Sequence, residues 1–320
     1  MKAIKPYANI VDIGESGDVL KKIEWIGRTC YKSTENIKEG SAEKFVLGLV
    51  KAGHEAMVEH ATFIFKMDAR AYNNLNRIMR SLSYVGFKSF LRTTYADCPI
   101  ISGNVRAWRD FAKECLKELG AIPKFMEDFI FSNPILFPEY LNVSMYDHIL
   151  DGKMTQITVK DLVTENEKLT HWDVTVQWVV DRGITHEIVR HRPASFAQES
   201  TRYCNYSKDK FGNELTFIIP EFFEKGTNDY ILWKAQMELD ETAYMKMINR
   251  GVTPEKARTI LPHSLKTELI MTAPLGEWKH FFALRACNVT GKAHPQMLEV
   301  AVPLMEEFKK NITGIFDDLK

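Results

Sequence analysis

Neither sign of charge is in excess: 42 Lys and Arg residues stand against 42 Asp and Glu, a formal net charge of zero over 320 residues. A general nucleic-acid binder carries a basic surplus to meet the phosphate backbone. The balance argues against that class and makes any anion site a local cluster. The five cysteines (Cys30, Cys98, Cys115, Cys204, Cys287) are widely spaced, odd in number and form no CxxC pair. That pattern argues against a disulfide framework or a structural zinc site and suits reduced thiols. No run approaches the roughly 18 uncharged apolar residues of a membrane span. The first residues, MKAIKPYANIVDIGESGD, lack the apolar segment of a signal peptide. The expectation is a soluble, cytoplasmic protein without membrane or nucleic-acid partners. No GxGxxG follows a strand-like run, so a Rossmann dinucleotide site is not expected.

What is present reads as an ordinary globular chain, 45% hydrophobic and long enough for a large core. Apolar positions recur at helical spacing over Asp18–Tyr31 and Ala42–Val50, and ATFIFKM over 61–67 reads as a strand. From Ala69 to about Val143 the pattern is helical, with NVRAWRDFAKECLKELG its clearest piece and Gly120 its stop. Val174, Val176, Trp178 and Val180 alternate onto one face of a strand, and a short helix follows over Ile184–His191. Leu215–Ile219 and Leu265–Thr272 read as strands; 229–250, 277–286 and 295–315 read as helices. Thr253 is a candidate N-cap before Pro254 at the first helical position. The fold class expected is α+β: a central, mostly antiparallel sheet flanked by helices. It is one domain over 1–320, with a helical insertion at about 68–170.

The densest chemistry lies in Arg190-His191-Arg192, followed by Ser195 and then Gln198-Glu199-Ser200-Thr201-Arg202-Tyr203. Arginine recognises phosphate through planar bidentate bonds, and small hydroxyl residues let the backbone approach closely. Gln and Glu can grip a base edge or ribose hydroxyls. The run therefore suits a nucleotide cradle, and from these residues alone a solvated basic turn remains the alternative. A zinc reading of His54-Glu55 with Glu59-His60 fails on spacing. A helical HExxH places its histidines four apart, whereas these are six apart, and His186 to His191 is five.

RHRPASFAQES resembles the pattern of the flavin-dependent thymidylate synthases: RHR, seven residues, then Ser. The similarity extends to GHEAMVEHATFIF before it and to GVTPEKARTILP, FFALRA and AHPQ after it, in the family's order. The resemblance implies reductive methylation of dUMP to dTMP, with methylenetetrahydrofolate as carbon donor and FAD reduced by NADPH, in a homotetramer whose subunits share active sites. By position it implies that Arg190, His191 and Arg192 contact FAD, with Ala56, Glu59, Gln198 and His280 beside it and His54 and His60 near. It further implies that Glu187, Arg190, Gln198, Glu199, Ser200, Thr201, Arg202, Arg258 and Arg285 line the dUMP site. There the Ser200–Arg202 turn takes the phosphate, Arg258 shares a helix with Glu255, and Arg285 is catalytic, stabilising the ionised N3 of the uracil. A fixed cation there makes the ring carbon more nucleophilic. No metal is implied.

The reading favours electrostatic activation without an enzyme nucleophile; Cys204 is the one cysteine near the motif and Ser200 lacks an evident base. The chain departs from the family at Ala56, Ala197, Glu187 and Gln198. It departs more seriously at Pro274 and Gly276, where the family often places Asn and Arg against FAD, and Asn288–Gly291 adds residues. The altered Pro274/Gly276 segment supports the rival reading, a non-catalytic dUMP-binding homologue that has lost tight flavin binding.

Overall fold

A computed structural model describes residues 1–15, 17–83, 86–95, 98–146 and 152–320. The strands are β1 (Lys2–Ile4), β2 (Tyr7–Asp12), β3 (Thr62–Met67), β4 (Leu91–Thr94), β5 (Ile100–Asn104), β6 (Ile122–Pro123), β7 (Met145–Tyr146), β8 (Met154–Ile157), β9 (Asp173–Asp181), β10 (Ser195–Gln198), β11 (Thr216–Ile218) and β12 (Lys266–Pro274). The helices are α1 (Val19–Tyr31), α2 (Ser41–Lys51), α3 (Ala69–Ser81), α4 (Val105–Leu119), α5 (Glu127–Ser132), α6 (Glu165–His171), α7 (Arg182–Ile188), α8 (Asn228–Asn249), α9 (Pro254–Ala257), α10 (Leu275–Arg285) and α11 (Pro295–Asn311). The α+β class is borne out, and the sheets that dominate are antiparallel.

The main sheet has the order β10-β12-β9-β2, antiparallel throughout. Val174, Val176, Trp178 and Val180 point to one face, as their alternation predicts, and pack with Leu269 and Met271 of β12. Trp278, Phe281 and Phe282 of α10 and Met297, Leu304 and Phe308 of α11 cover that face. Burying each such side chain contributes about 2 kcal/mol before ordering entropy is set against it. Asp181 ends β9 and caps α7, its carboxylate accepting from Ile184 N–H at 3.0 Å. This one residue turns the chain from the sheet into the helix that leads to the motif.

The 68–170 stretch carries the helices α3, α4, α5 and α6, but it is not wholly helical. β4, β5 and β8 join β3 in a second antiparallel sheet, order β4-β5-β3-β8. All five residues of β5 are buried, so the strand lacks the one-sided alternation that would have revealed it. Its core is aromatic: Phe63, Phe65, Trp108 and Phe129 meet edge-on. The two sheets meet where Arg92 of β4 makes a bidentate pair with Asp173 at 2.6 and 2.9 Å. Thr62 donates to the same carboxylate at 2.5 Å. Beside this pair the buried His171 ring lies between Ser102 at 2.8 Å and Thr94 at 2.9 Å.

Candidate active site

The RHR run occupies the turn from α7 into β10. Arg190 and Arg192 are exposed, and neither guanidinium has a partner among the described residues. His191 between them is buried against the edge of Phe281, with ring centroids 4.7 Å apart. Its Nε2 accepts from Arg285 Nε at 3.1 Å, and Arg285 also donates to Glu187 at 2.9 Å. His280, exposed one turn earlier on α10, sits 6.2 Å away ring to ring. Burial, reinforced by the Arg285 and His280 charges, lowers the His191 pKa to about 4. Four of the residues named from sequence (Glu187, His191, His280, Arg285) thus form one cluster at the ends of α7 and α10. An arginine has five N–H donors; Glu187 and His191 take only two bonds from Arg285, which leaves donors for a ligand.

β10 carries the motif along β12, Ser195 opposite Thr272 and Gln198 opposite Leu269. The Gln198 amide donates to Thr185 at 3.1 Å and Thr267 at 3.3 Å, tying the strand to α7 and β12. Ser200 then starts a tight turn, its carbonyl accepting from Tyr203 N–H at 3.1 Å and Cys204 N–H at 2.9 Å. Thr201 is buried in this turn, whereas Arg202 is exposed and lies over the Tyr203 ring at 5.4 Å. Glu199 is turned inward, to Tyr206 at 2.9 Å and Lys266 at 3.0 Å.

Glu59 pairs with Arg106 at 2.6 Å and lines a cleft with Pro193, Ala194, Ser195 and Pro274. The cleft holds only about 20 Å³, near the size of one water. Ala56 and His54 are exposed next to it in sequence; His60 is fully buried, Nδ1 lying 2.8 Å from the Thr272 hydroxyl. Burial drives the His60 pKa down to about 3.

Arg258 sits just past the end of α9. α9 ends at Ala257 and Arg258 caps it in a following 3-10 turn, exposed and without a side-chain partner among the described residues. It is therefore not on the α9 helix with Glu255, because the chain tightens after a single helical turn. Pro274 closes β12 and hands over to α10. Gly276 has a packing reason: a Cβ there would stand 3.1 Å from the Leu169 carbonyl of α6, so a side chain would press on that helix.

Sequence reasoning passed over Lys32, Lys266, Glu268 and Tyr206, which surround Glu199. The signal available was the Lys266-x-Glu268 pair, two charges on one face of an otherwise uncharged strand. A cavity of about 450 Å³ opens there, lined by Lys2, Lys32, Glu199, Tyr206, Lys210 and Lys266 among others. None of the RHR residues lines it. No three His, Cys, Asp or Glu side chains gather in a metal-holding group among the described residues. No helix there is long and apolar enough to cross a membrane.

Part of this geometry lies within a region with known relatives. Residues 155–312 match the family model described as thymidylate synthase complementing protein. The flavin-dependent thymidylate synthase of Pyrococcus furiosus is 43% identical over 129 residues, covering 40% of this chain and 51% of that protein. The enzymes of that name from Pyrococcus abyssi and Geobacter sulfurreducens are 39% and 30% identical, over 40% and 43% of this chain and 51% and 57% of theirs. The similarity to this family runs over residues 155–312, just under half of the chain. The resemblance read from RHRPASFAQES is thereby borne out. The chain spans about half the length of the curated relatives it matches. The matched region holds α7, β10, β12 and α10, and with them the whole Glu187–His191–Arg285 cluster.

Proposed function

We propose that this chain is a flavin-dependent thymidylate synthase that methylates dUMP reductively to dTMP, with methylenetetrahydrofolate as carbon donor and NADPH as reductant, in the cytoplasm. The observation that carries the reading is Arg285 held between Glu187 and His191 at the mouth of the RHR turn. The residues fit FAD in one respect: Arg190 and Arg192 offer two exposed guanidinium groups to a diphosphate. Arg190 and Arg192 would hold the FAD diphosphate, with Glu59 and Ser195 lining the cleft of about 20 Å³ beside them. When bound, reduced flavin supplies the hydride.

The chain's own residues then bind and polarise. The Ser200–Arg202 turn takes the dUMP phosphate, with Gln198 and Thr201 holding its shape. Arg285 keeps donors for the uracil N3–C4 edge, and its fixed charge favours the N3 anion, raising electron density at C5. Glu187 holds the guanidinium in place and His191, neutral at pH 7, accepts from it without adding a competing charge. The Cys204 thiol is buried and pushed up to about 12, first by desolvation and then by Glu199. It carries no thiolate to attack the ring.

Pro274 and Gly276 favour a second reading, a dUMP-binding homologue without tight flavin. Reconstitution with FAD separates the two. A yellow protein whose flavin absorbance shifts on adding dUMP supports the synthase, and a protein that stays colourless supports the rival.

A further inference from the structure

Glu199 lies between the last residue of β10 and the turn assigned above to the dUMP phosphate, yet its carboxylate is almost fully buried. One oxygen accepts from the Tyr206 hydroxyl at 2.9 Å, the other from Lys266 Nζ at 3.0 Å, with Lys32 Nζ at 3.7 Å. Both ammonium groups also pair with Glu268, Lys266 at 2.5 Å, and Gln177 donates to Glu268 at 3.1 Å. The four charges form a neutral quartet, three of whose members (Lys32, Glu199 and Lys266) also line the cavity of about 450 Å³.

The backbone is tied at the same place. Glu199 N–H donates to the Glu268 carbonyl at 2.8 Å, and Ser200 N–H to the Cys30 carbonyl at 3.1 Å. Lys32 is the left-handed C-cap of α1, φ 49°, so its ammonium is delivered from the end of the same helix that receives Ser200. The turn is therefore clamped between the C-terminus of α1 and the start of β12. A buried ionic set is seldom the most stabilising filling for such a space, and its best-attested use is to fix one arrangement against alternatives.

We propose that Lys266, with Lys32, is a positioning residue that acts through Glu199 to hold the Ser200–Arg202 turn in its phosphate-accepting shape. Glu199 is thus a support of the dUMP site rather than a contact of the nucleotide. This rests on the dUMP reading given above.

The test uses the FAD-loaded full chain, with Lys266→Met, Glu199→Gln and Lys266→Arg, and calorimetry with dUMP and with phosphate-free deoxyuridine. Lys266→Met and Glu199→Gln are each expected to weaken dUMP about tenfold. Deoxyuridine binding and the flavin spectrum should stay unchanged, KM for dUMP should rise while kcat holds, and Lys266→Arg should restore affinity. Equal loss of dUMP and deoxyuridine indicates a general structural fault and overturns the inference, as does unchanged dUMP binding in both variants. Should Lys266→Met not fold, Glu199→Gln, which preserves size and hydrogen-bonding capacity, decides alone. Absence of dUMP binding in the wild type overturns the reading of the site, and this inference with it.

Discussion

Arg285 donates from Nε to His191 Nε2 at 3.1 Å, which requires that nitrogen to be an acceptor and leaves the ring proton on Nδ1. The neutral imidazole follows from burial first, then from the Arg285 and His280 charges. Replacing Arg285 by Gln removes one of those charges, so His191 should titrate higher than its present value of about 4, visible in an NMR titration of the ring. Turnover of dUMP is expected to fall by roughly a hundredfold or more. An unchanged His191 titration would show that the two residues are not coupled.

The buried histidines make acid the weak flank of the fold. His60 is held at about 3, and His171 and His191 at about 4, each primarily by burial. Their unfolded-state values are higher, so the unfolded chain binds more protons as the pH drops. The stability they contribute is full above about pH 6.5 and lost downward toward pH 4. Each group accounts for about 1.4 kcal/mol per pH unit within that window, together roughly 4. Asp181 and Glu299, raised by burial, act in the opposite sense near the lower end and blunt the slope. Urea midpoints measured from pH 7.5 to 4.5 should fall steeply below pH 6.5; a flat profile would contradict the burial of these rings.

Cys204→Ala tests whether a thiolate takes part. Because burial, reinforced by Glu199, pushes this thiol up to about 12, it is protonated at neutral pH. Turnover of the variant should stay within about twofold of the wild type. Abolished turnover in a folded variant that still binds dUMP would restore a nucleophilic cysteine to the mechanism.

Much of this was legible in the chain. The alternation at Val174–Val180 predicted β9, and the cationic run between Ile188 and Ser195 marked the turn that carries the cluster. The strand β5 was not legible, since a short strand buried on both faces has no period to read, and the four-residue β4 is too short to show one. Nor was the setting of Glu199. Its partners Lys32 and Lys266 are far away in sequence, and only the pairing of β10 with β12 and the end of α1 bring them together. Arg258 was placed by assuming that the helix begun at Pro254 runs on, whereas it ends at Ala257.

Gly276→Val should destabilise the protein by about 1–3 kcal/mol, the usual cost of overpacking. The added branches would meet the Leu169 carbonyl of α6, which a bare Cβ already approaches to 3.1 Å. Denaturant unfolding measures this, and a gain in stability would show that α6 can give way.

Tritium release from 5-tritiated dUMP tests the proposed reaction most directly. With FAD, NADPH and methylenetetrahydrofolate all present the wild type is expected to release tritium, with omission of FAD stopping it and Arg285→Gln reducing it strongly. A folded, FAD-loaded protein that releases none, or one that releases it equally without flavin, would contradict the assignment.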